Sequence, residues 1–168
     1  MRRERVPVIG VIVLIAAFSV AQQSTQQPMI TNSGQAKFVS VPRLPECAGF
    51  AVEHGDPKGA NSVTLINLAS GCTVPMHWHS TAEELTFVSG TVQFQMQGGQ
   101  SQNVSSGGYV YMPAHHGHQL TCANGCSFYR ILNGPADIHY IDAAGNEISP
   151  ESAMAAFGER PVSAVAQK

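Results

Sequence analysis

The sequence has few charged residues and almost no excess of either sign. Lys, Arg, Asp and Glu make up 12% of its 168 residues, and the formal net charge is −2. No basic surplus is available to neutralise a phosphate backbone, which argues against nucleic-acid binding. The hydrophobic fraction of 43% is too high for a disordered chain and sufficient for the core of one domain. We therefore expect a single folded domain.

Long stretches with helical periodicity are also lacking, whereas Gly and Pro are frequent, with 16 and 10 copies. Short apolar runs between turn residues predict strands instead. Residues 92–97 alternate strictly and end at Gly98-Gly99, which is typical of a strand with one buried face. These features predict an all-β sandwich or small barrel. The predicted strands are 36–41, 48–54, 62–69, 74–79, 84–89, 91–97, 101–104, 109–112, 118–122 and 126–132.

One short helix is predicted near the C-terminus. Ser149 is a suitable N-cap, Pro150 suits the first helical position, and Glu151 places negative charge in the first turn. Gly158 is a suitable stop after Phe157. The sequence therefore predicts a β-domain and then a segment with the helix and a tail, over residues 36–145 and 146–168.

The N-terminus has the pattern of a secretion signal. Three arginines precede an apolar run from Val6 to Val20, and small residues at Ser19 and Ala21 suit cleavage after Ala21. The run of about 15 residues is shorter than the roughly 20 that a spanning helix needs. We expect a signal peptide over 1–21 and a disordered leader over 22–35. The protein would then be exported, periplasmic or secreted, with no stable membrane anchor after cleavage.

Four cysteines follow the predicted cleavage site, and an even number in an oxidising compartment indicates two disulfides. Three pairings can be drawn. Cys122 and Cys126 bracket a short turn, and Cys47 and Cys72 flank a predicted hairpin, which favours Cys47–Cys72 with Cys122–Cys126. A thiolate zinc site is less favoured because the sequence has no C-x-x-C pair.

The seven histidines are the compositional oddity, because five of them fall in two short segments: His77, His79, His115, His116 and His118. Residues two apart on a strand share a face, so His77 and His79 project together. Glu83 can join them from the next predicted strand, and His118 begins another. Three imidazoles and a carboxylate suit divalent Mn, Fe, Ni, Cu, Zn or Co and leave positions for water or substrate.

Residues 71–90 resemble the first sequence motif of the cupin superfamily throughout. The pattern is Gly, five residues, His-x-His, three or four residues, Glu, six residues and Gly. Five residues of this sequence stand at its fixed positions: Gly71, His77, His79, Glu83 and Gly90.

Residues 107–122 resemble the second cupin motif less completely. Gly107, Pro113 and His118 match its pattern. His115 stands where the family has Gly, and Cys122 stands where it has Asn. The sixteen residues between the two motifs are typical of a small single-domain cupin.

The resemblance implies a double-stranded β-helix, or jelly-roll barrel, with a metal in its mouth. It implies four metal ligands, which are His77, His79, Glu83 and His118. Glu84 is the rival carboxylate, but the spacing to Gly90 and the strand parity both favour Glu83. His115 and His116 are interpreted first as exposed turn residues and second as groups that support the site or transfer protons.

Two further interpretations concern the interior and the outer face of the barrel. Facing inward, Arg130 could pair with Glu84 or bind a substrate carboxylate; facing outward, it would be solvated. Met76 and Trp78 face away from the ligand pair and need cover, from strand 36–41 or from a second subunit. With the resemblance, this predicts a homodimer. The predicted interior residues are Leu85, Phe87, Phe94, Met96 and Leu120.

The fold alone leaves the function open, because cupins include dioxygenases, decarboxylases, isomerases, hydrolases and binding modules. Our leading hypothesis is an exported metal-dependent enzyme of oxidoreductase or lyase type, such as a dioxygenase or decarboxylase, that acts on a small molecule. The alternative is a non-catalytic protein that binds a metal or a small ligand. The metal ligands alone do not discriminate between the two.

Overall fold

The computed structural model describes residues 27–162. The chain divides into two units, Met1–Ile30 and Thr31–Lys168, and every helix and strand described below lies in the second. The predicted signal peptide and residues 22–26 of the predicted leader lie outside the described residues. Within the described part, no helix is both long enough and apolar enough to span a membrane.

The described residues form two five-stranded antiparallel sheets, which confirms the all-β double-sheet prediction. The strand orders are β1-β2-β9-β4-β7 in the first sheet and β10-β3-β8-β5-β6 in the second. The strands are β1 Ala48–Gly55, β2 Ser62–Leu68, β3 Cys72–Trp78, β4 Glu83–Ser89, β5 Thr91–Met96, β6 Ser101–Ser105, β7 Tyr109–Met112, β8 His118–Cys122, β9 Cys126–Leu132 and β10 His139–Tyr140.

The hydrophobic core uses the inward-facing positions of both sheets. The ring of Phe87 lies edge-on to Phe94, at 5.9 Å between centroids, and 5.2 Å from Phe128. These rings join the two sheets, because Phe94 lies in β5 and the other two lie in β4 and β9. Of the five predicted interior residues, four are buried and Met96 is half-buried against the core.

Two details of the strand prediction are wrong. Residues 36–41 do not form a strand: only Val39 makes a bridge, to Phe50, and the segment has no buried face that would hold it in a sheet. The two-residue strand β10 was missed, because it is too short to show a periodicity. It pairs with β3 and places His139 opposite Trp78.

Trp78 is covered from within the chain, but by other residues than the predicted strand 36–41. The His139 ring stacks on the indole at 3.9 Å with an interplanar angle of 2°, and the His115 ring lies 4.7 Å away. Because neither strand 36–41 nor a second subunit is needed for this cover, Trp78 no longer argues for a homodimer. The homodimer stays a prediction, and light scattering at micromolar concentration tests it.

The C-terminal helix α1, Pro150–Ala155, follows its predicted signals. The Ser149 side chain accepts a hydrogen bond from the backbone N–H of Ser152, and Pro150 opens the helix. Met154 is buried against the core. Gly158 has φ of 67°, a conformation that favours glycine and ends the segment.

Both disulfides join the cysteines that the sequence favoured, Cys47 to Cys72 and Cys122 to Cys126. The β1–β2 hairpin explains the first, because Ala48 pairs with Leu68 and brings the flanking residues together. Two disulfides fit an oxidising, exported environment.

Candidate metal centre

The barrel interior contains three buried histidines from two neighbouring strands. His77 lies in β3, directly opposite His118 at the start of β8, and His79 follows β3. A bulge between Val74 and His77 contains Pro75, which has no N–H for the sheet. Bulges re-aim side chains, and here the three imidazoles converge: one ring nitrogen of each lies within 4.8 Å of the others.

The other nitrogen of each ring is held by the backbone. In all three histidines Nδ1 lies at hydrogen-bond distance from a carbonyl oxygen, so Nδ1 carries the proton and Nε2 carries the free lone pair. This arrangement is typical of histidines that bind a metal through Nε2. The carbonyl partners of His77, His79 and His118 belong to Pro75, Asp137 and His116, in that order.

Glu83 begins β4 and is buried against two of the histidines. Its Oε1 lies 3.1 Å from His118 Nε2, and its Oε2 lies 3.6 Å from His79 Nε2. Burial raises the pKa of Glu83, but the adjacent His79 and His118 outweigh it and hold the pKa well below the ordinary 4.5. The side chain is therefore a carboxylate at neutral pH.

Burial also sets the charge of two imidazoles. It lowers the pKa of His77 well below 6.5, and the neighbouring His118 and His79 lower it further. Burial likewise lowers the pKa of His79, against the opposing effect of Glu83. Both rings are thus neutral at neutral pH, which is the form that binds metals.

The donor set fits a divalent transition metal. His118 Nε2 is fully buried and makes no hydrogen bond of acceptable geometry, although Glu83 lies nearby. An unpaired buried nitrogen is costly, and here it faces a carboxylate and two further imidazoles. Three imidazole nitrogens and one anionic oxygen match the preference of such ions.

The rival carboxylate lies outside this cluster. Glu84 follows Glu83 in β4 and faces the other side of the sheet, where it accepts a hydrogen bond of 3.0 Å from the Tyr109 hydroxyl. An ion pair between Arg130 and Glu84 was one of the interpretations that the sequence left open. Among the described residues, the structure contains no such ion pair.

His115 and His116 lie in the exposed loop between β7 and β8, and neither lines the cavity at the histidines. His115 has φ of 60°, a conformation that favours glycine, which accounts for the Gly that cupins have at this position. Its N–H donates to the carbonyl of His79. His116 contributes its carbonyl, which orients His118.

A cavity of about 550 Å³ opens beside the histidines and is lined mainly by apolar side chains. Arg130, the strand residue whose direction the sequence left open, faces this cavity. Residues 39–44, at which a strand was predicted in part, close one side of it.

The sequence analysis missed Asp137 and Thr64. The Asp137 carbonyl holds His79, and its carboxylate accepts the N–H of Ser80 at 2.9 Å. Thr64 lines the cavity from β2. Neither residue belongs to a sequence motif. The alternation of β2, which places Thr64 on the inward face of the strand, was the sequence feature that could have indicated Thr64.

Fold and site together define a jelly-roll barrel with a histidine cluster in its interior. Residues 64–129 match the family model described as the cupin domain, which confirms the resemblance to the cupin superfamily. No curated protein sequence gives a significant match.

Solved structures with the same fold have low sequence identity to this chain. The polyketide cyclase RemF from Streptomyces resistomycificus has a TM-score of 0.60 at 14% identity, over 69% of this chain and 87% of that one. An RmlC-like cupin from Ralstonia eutropha JMP134 gives 0.57 at 17%, over 81% and 92%. The DMSP lyase DddQ from Ruegeria pomeroyi DSS-3 gives 0.56 at 14%, over 67% and 64%. At these identities the likeness concerns the fold alone.

Proposed function

We propose that this protein binds a divalent transition metal through His77, His79, His118 and Glu83. We further propose that it is a metal-dependent enzyme of oxidoreductase or lyase type acting on a small molecule. One observation carries the proposal: backbone carbonyls fix the three Nδ1 atoms, so that the free nitrogens converge on one point in a buried cluster.

The ligands and the cavity have different roles in this proposal. The histidines hold the ion as neutral donors, and Glu83 adds one negative charge, which leaves coordination positions free for water or substrate. When bound, the ion would act as a Lewis acid toward an oxygen of the substrate. The adjoining cavity of about 550 Å³ has room for a small molecule between mainly apolar walls. Two of the structural neighbours are a polyketide cyclase and a DMSP lyase.

A non-catalytic metal- or ligand-binding protein is the second candidate. The sequence offers four candidate acid–base groups beside the ligands; Arg130 lines the cavity, and Glu84, His115 and His116 lie outside its lining. This placement favours the alternative, because an enzyme needs an acid or base within reach of the substrate, and apart from the proposed ligands and the basic side chains the lining offers only Asp137 and His139 among the described residues.

Metal analysis followed by a substrate screen tests both candidates. We expect close to one transition metal ion per chain in protein purified from a host that exports it. We also expect turnover of a small carboxylate, thiol or phenol, which oxygen uptake and product analysis would detect. Metal without turnover across the screen would favour the binding protein. Absence of bound metal from the native protein, and after incubation with each candidate ion, would overturn the proposal.

We also propose that the protein is exported and that its mature form begins at Gln22. The sequence pattern before Ala21 and the two disulfides support this. Intact mass of the exported protein should correspond to residues 22–168. A membrane-bound protein that retains residues 1–21 would contradict the proposal.

A further inference from the structure

Two buried polar groups in the cavity wall lack a partner. Arg130 in β9 and Thr64 in β2 lie directly opposite each other in the strand register, and both line the cavity. Thr64 is 2% exposed, and its hydroxyl makes no hydrogen bond. The Nε of Arg130 is likewise buried without a partner, and the guanidinium forms no ion pair with a carboxylate of the described chain.

Such a pair of donors is suited to an acceptor that is not part of the chain. Buried donors without an acceptor are costly, and native proteins complete them with a ligand or an ordered water. A guanidinium presents a planar fork of N–H groups that matches the two oxygens of a carboxylate. A hydroxyl beside it can donate to the same oxygens.

The charge of the cavity favours an anion. Only six Lys and Arg residues follow residue 21, and three of them line this cavity: Arg43, Lys58 and Arg130. The two carboxylates in the lining, Glu83 and Asp137, act on Arg130 electrostatically, but neither forms an ion pair with it, and both have other partners. Glu83 faces His79 and His118, and Asp137 accepts the N–H of Ser80.

We propose that Arg130 and Thr64 form a carboxylate-binding subsite, and that the substrate is a small, mainly apolar carboxylic acid. Its carboxylate binds these two side chains, and its other end reaches His77 and His79, which line the same cavity. Apolar walls that include Ile66, Leu120 and Phe128 contact the rest of the molecule. Which end of the substrate reacts depends on the proposed metal-dependent function, whereas the carboxylate-binding subsite does not depend on it.

Isothermal titration with matched probes tests the subsite. Acetate, butyrate, hexanoate and benzoate are each compared with the corresponding amide, on metal-loaded and on chelator-treated protein. We expect at least one carboxylate to bind more tightly than its amide in both preparations. Arg130→Gln should weaken that binding about ten- to hundredfold and remove the preference. Thr64→Val should weaken it about two- to tenfold, and Arg130→Lys should retain part of it.

Arg160→Gln is the matched control, because this arginine is 81% exposed and pairs with Glu46 outside the cavity. It should bind as the wild type does. Metal content and circular dichroism are measured on every sample. Four outcomes overturn the subsite. The first two are that the wild type shows no carboxylate preference, or that Arg160→Gln weakens binding as much as Arg130→Gln does. The other two are that equimolar inorganic phosphate displaces the carboxylate, or that Arg130→Gln loses metal in proportion to its loss of probe binding.

The same measurements separate the two proposals. If the wild type holds no metal but keeps an Arg130-dependent carboxylate preference, the subsite stands and the metal-dependent function fails. If it holds metal without any carboxylate preference, the metal site stands and the subsite fails.

Discussion

Glu83 and Glu84 are neighbours in β4, and their carboxylates lie on opposite faces of the sheet. The first lies 3.1 Å from His118 inside the barrel, and the second accepts a hydrogen bond from Tyr109 on the outside. Because strand side chains alternate, one position decides whether an acidic side chain can reach the histidines. The two residues are thus a matched pair for testing the proposed metal site.

Replacing Glu83 with Gln should weaken divalent metal binding by about tenfold or more, because the shape is kept and the negative charge is lost. Glu84→Gln should bind as the wild type does. His77→Ala and His118→Ala should bind least, since each loses a nitrogen donor. The measurement is metal content per chain after dialysis, with circular dichroism as the folding check.

The reverse result would be informative. If Glu84→Gln loses metal and Glu83→Gln keeps it, the carboxylate assignment is wrong by one residue. If every variant binds as well as the wild type, the ion is held elsewhere.

The metal-free protein should lose stability as the pH falls. The folded state lowers the pKa of His77 and His79 below 6.5, so below that pH the unfolded chain takes up more protons. The contribution of these histidines to the free energy of unfolding is therefore full above about pH 6.5 and declines as the pH falls toward their folded-state pKa values. The loss is about 1.4 kcal/mol for each pH unit by which folding lowers the pKa of a histidine. Glu83 acts in the same direction below its ordinary 4.5.

Urea unfolding of chelator-treated protein at several pH values measures this slope. His77→Gln should flatten it between pH 6.5 and 5, because one buried imidazole is removed. His116→Gln, at an exposed position outside the cluster, is the control variant. A wild-type stability independent of pH across this range would contradict the burial argument.

The sequence predicted much of this site because strand geometry is local. The period of two placed His77 and His79 on one face and separated Glu83 from Glu84, and the structure has both features. Turn residues located all but one of the strands to within two residues, and the hairpin at 48–69 led to the Cys47–Cys72 pair.

What the sequence could not predict depends on contacts distant along the chain. His79 is fixed by a carbonyl 58 residues away, in a segment with no periodic pattern. The direction of Arg130 depends on register, where a shift of one residue reverses the face. Thr64 becomes relevant only because the register places it opposite Arg130.

Gly90 and Gly71, the first-motif glycines, provide a second matched pair. Both have positive φ, 73° and 80°, so alanine should cost each about 1–2 kcal/mol from the backbone alone. A Cβ at Gly90 would also lie 2.3 Å from the carbonyl oxygen of Gly125, whereas at Gly71 nothing lies within 4 Å. Gly90→Ala should therefore be clearly more destabilising in urea unfolding; equal costs would show that the β4–β5 turn and the Gly125 segment can move apart.

The two disulfides should contribute unequally to stability. Cys47–Cys72 spans 25 residues and Cys122–Cys126 spans 4, and a cross-link restricts the unfolded chain more when its loop is longer. Loop entropy gives about 3.5 kcal/mol for the first and about 2 kcal/mol for the second. Cys72 lies opposite Cys122 in the β3–β8 register, so a single substitution would leave a thiol able to attack the other bridge. Double alanine variants avoid this.

Urea unfolding without reductant should place the Cys47→Ala/Cys72→Ala variant about 1.5 kcal/mol below Cys122→Ala/Cys126→Ala. Cys72, Cys122 and Cys126 are buried and Cys47 is partly buried, so the loss of sulfur packing is larger in Cys122→Ala/Cys126→Ala and acts against the order that loop length predicts. The reverse order would mean that the short bridge stabilises the native β8–β9 turn directly, rather than by restricting the unfolded chain.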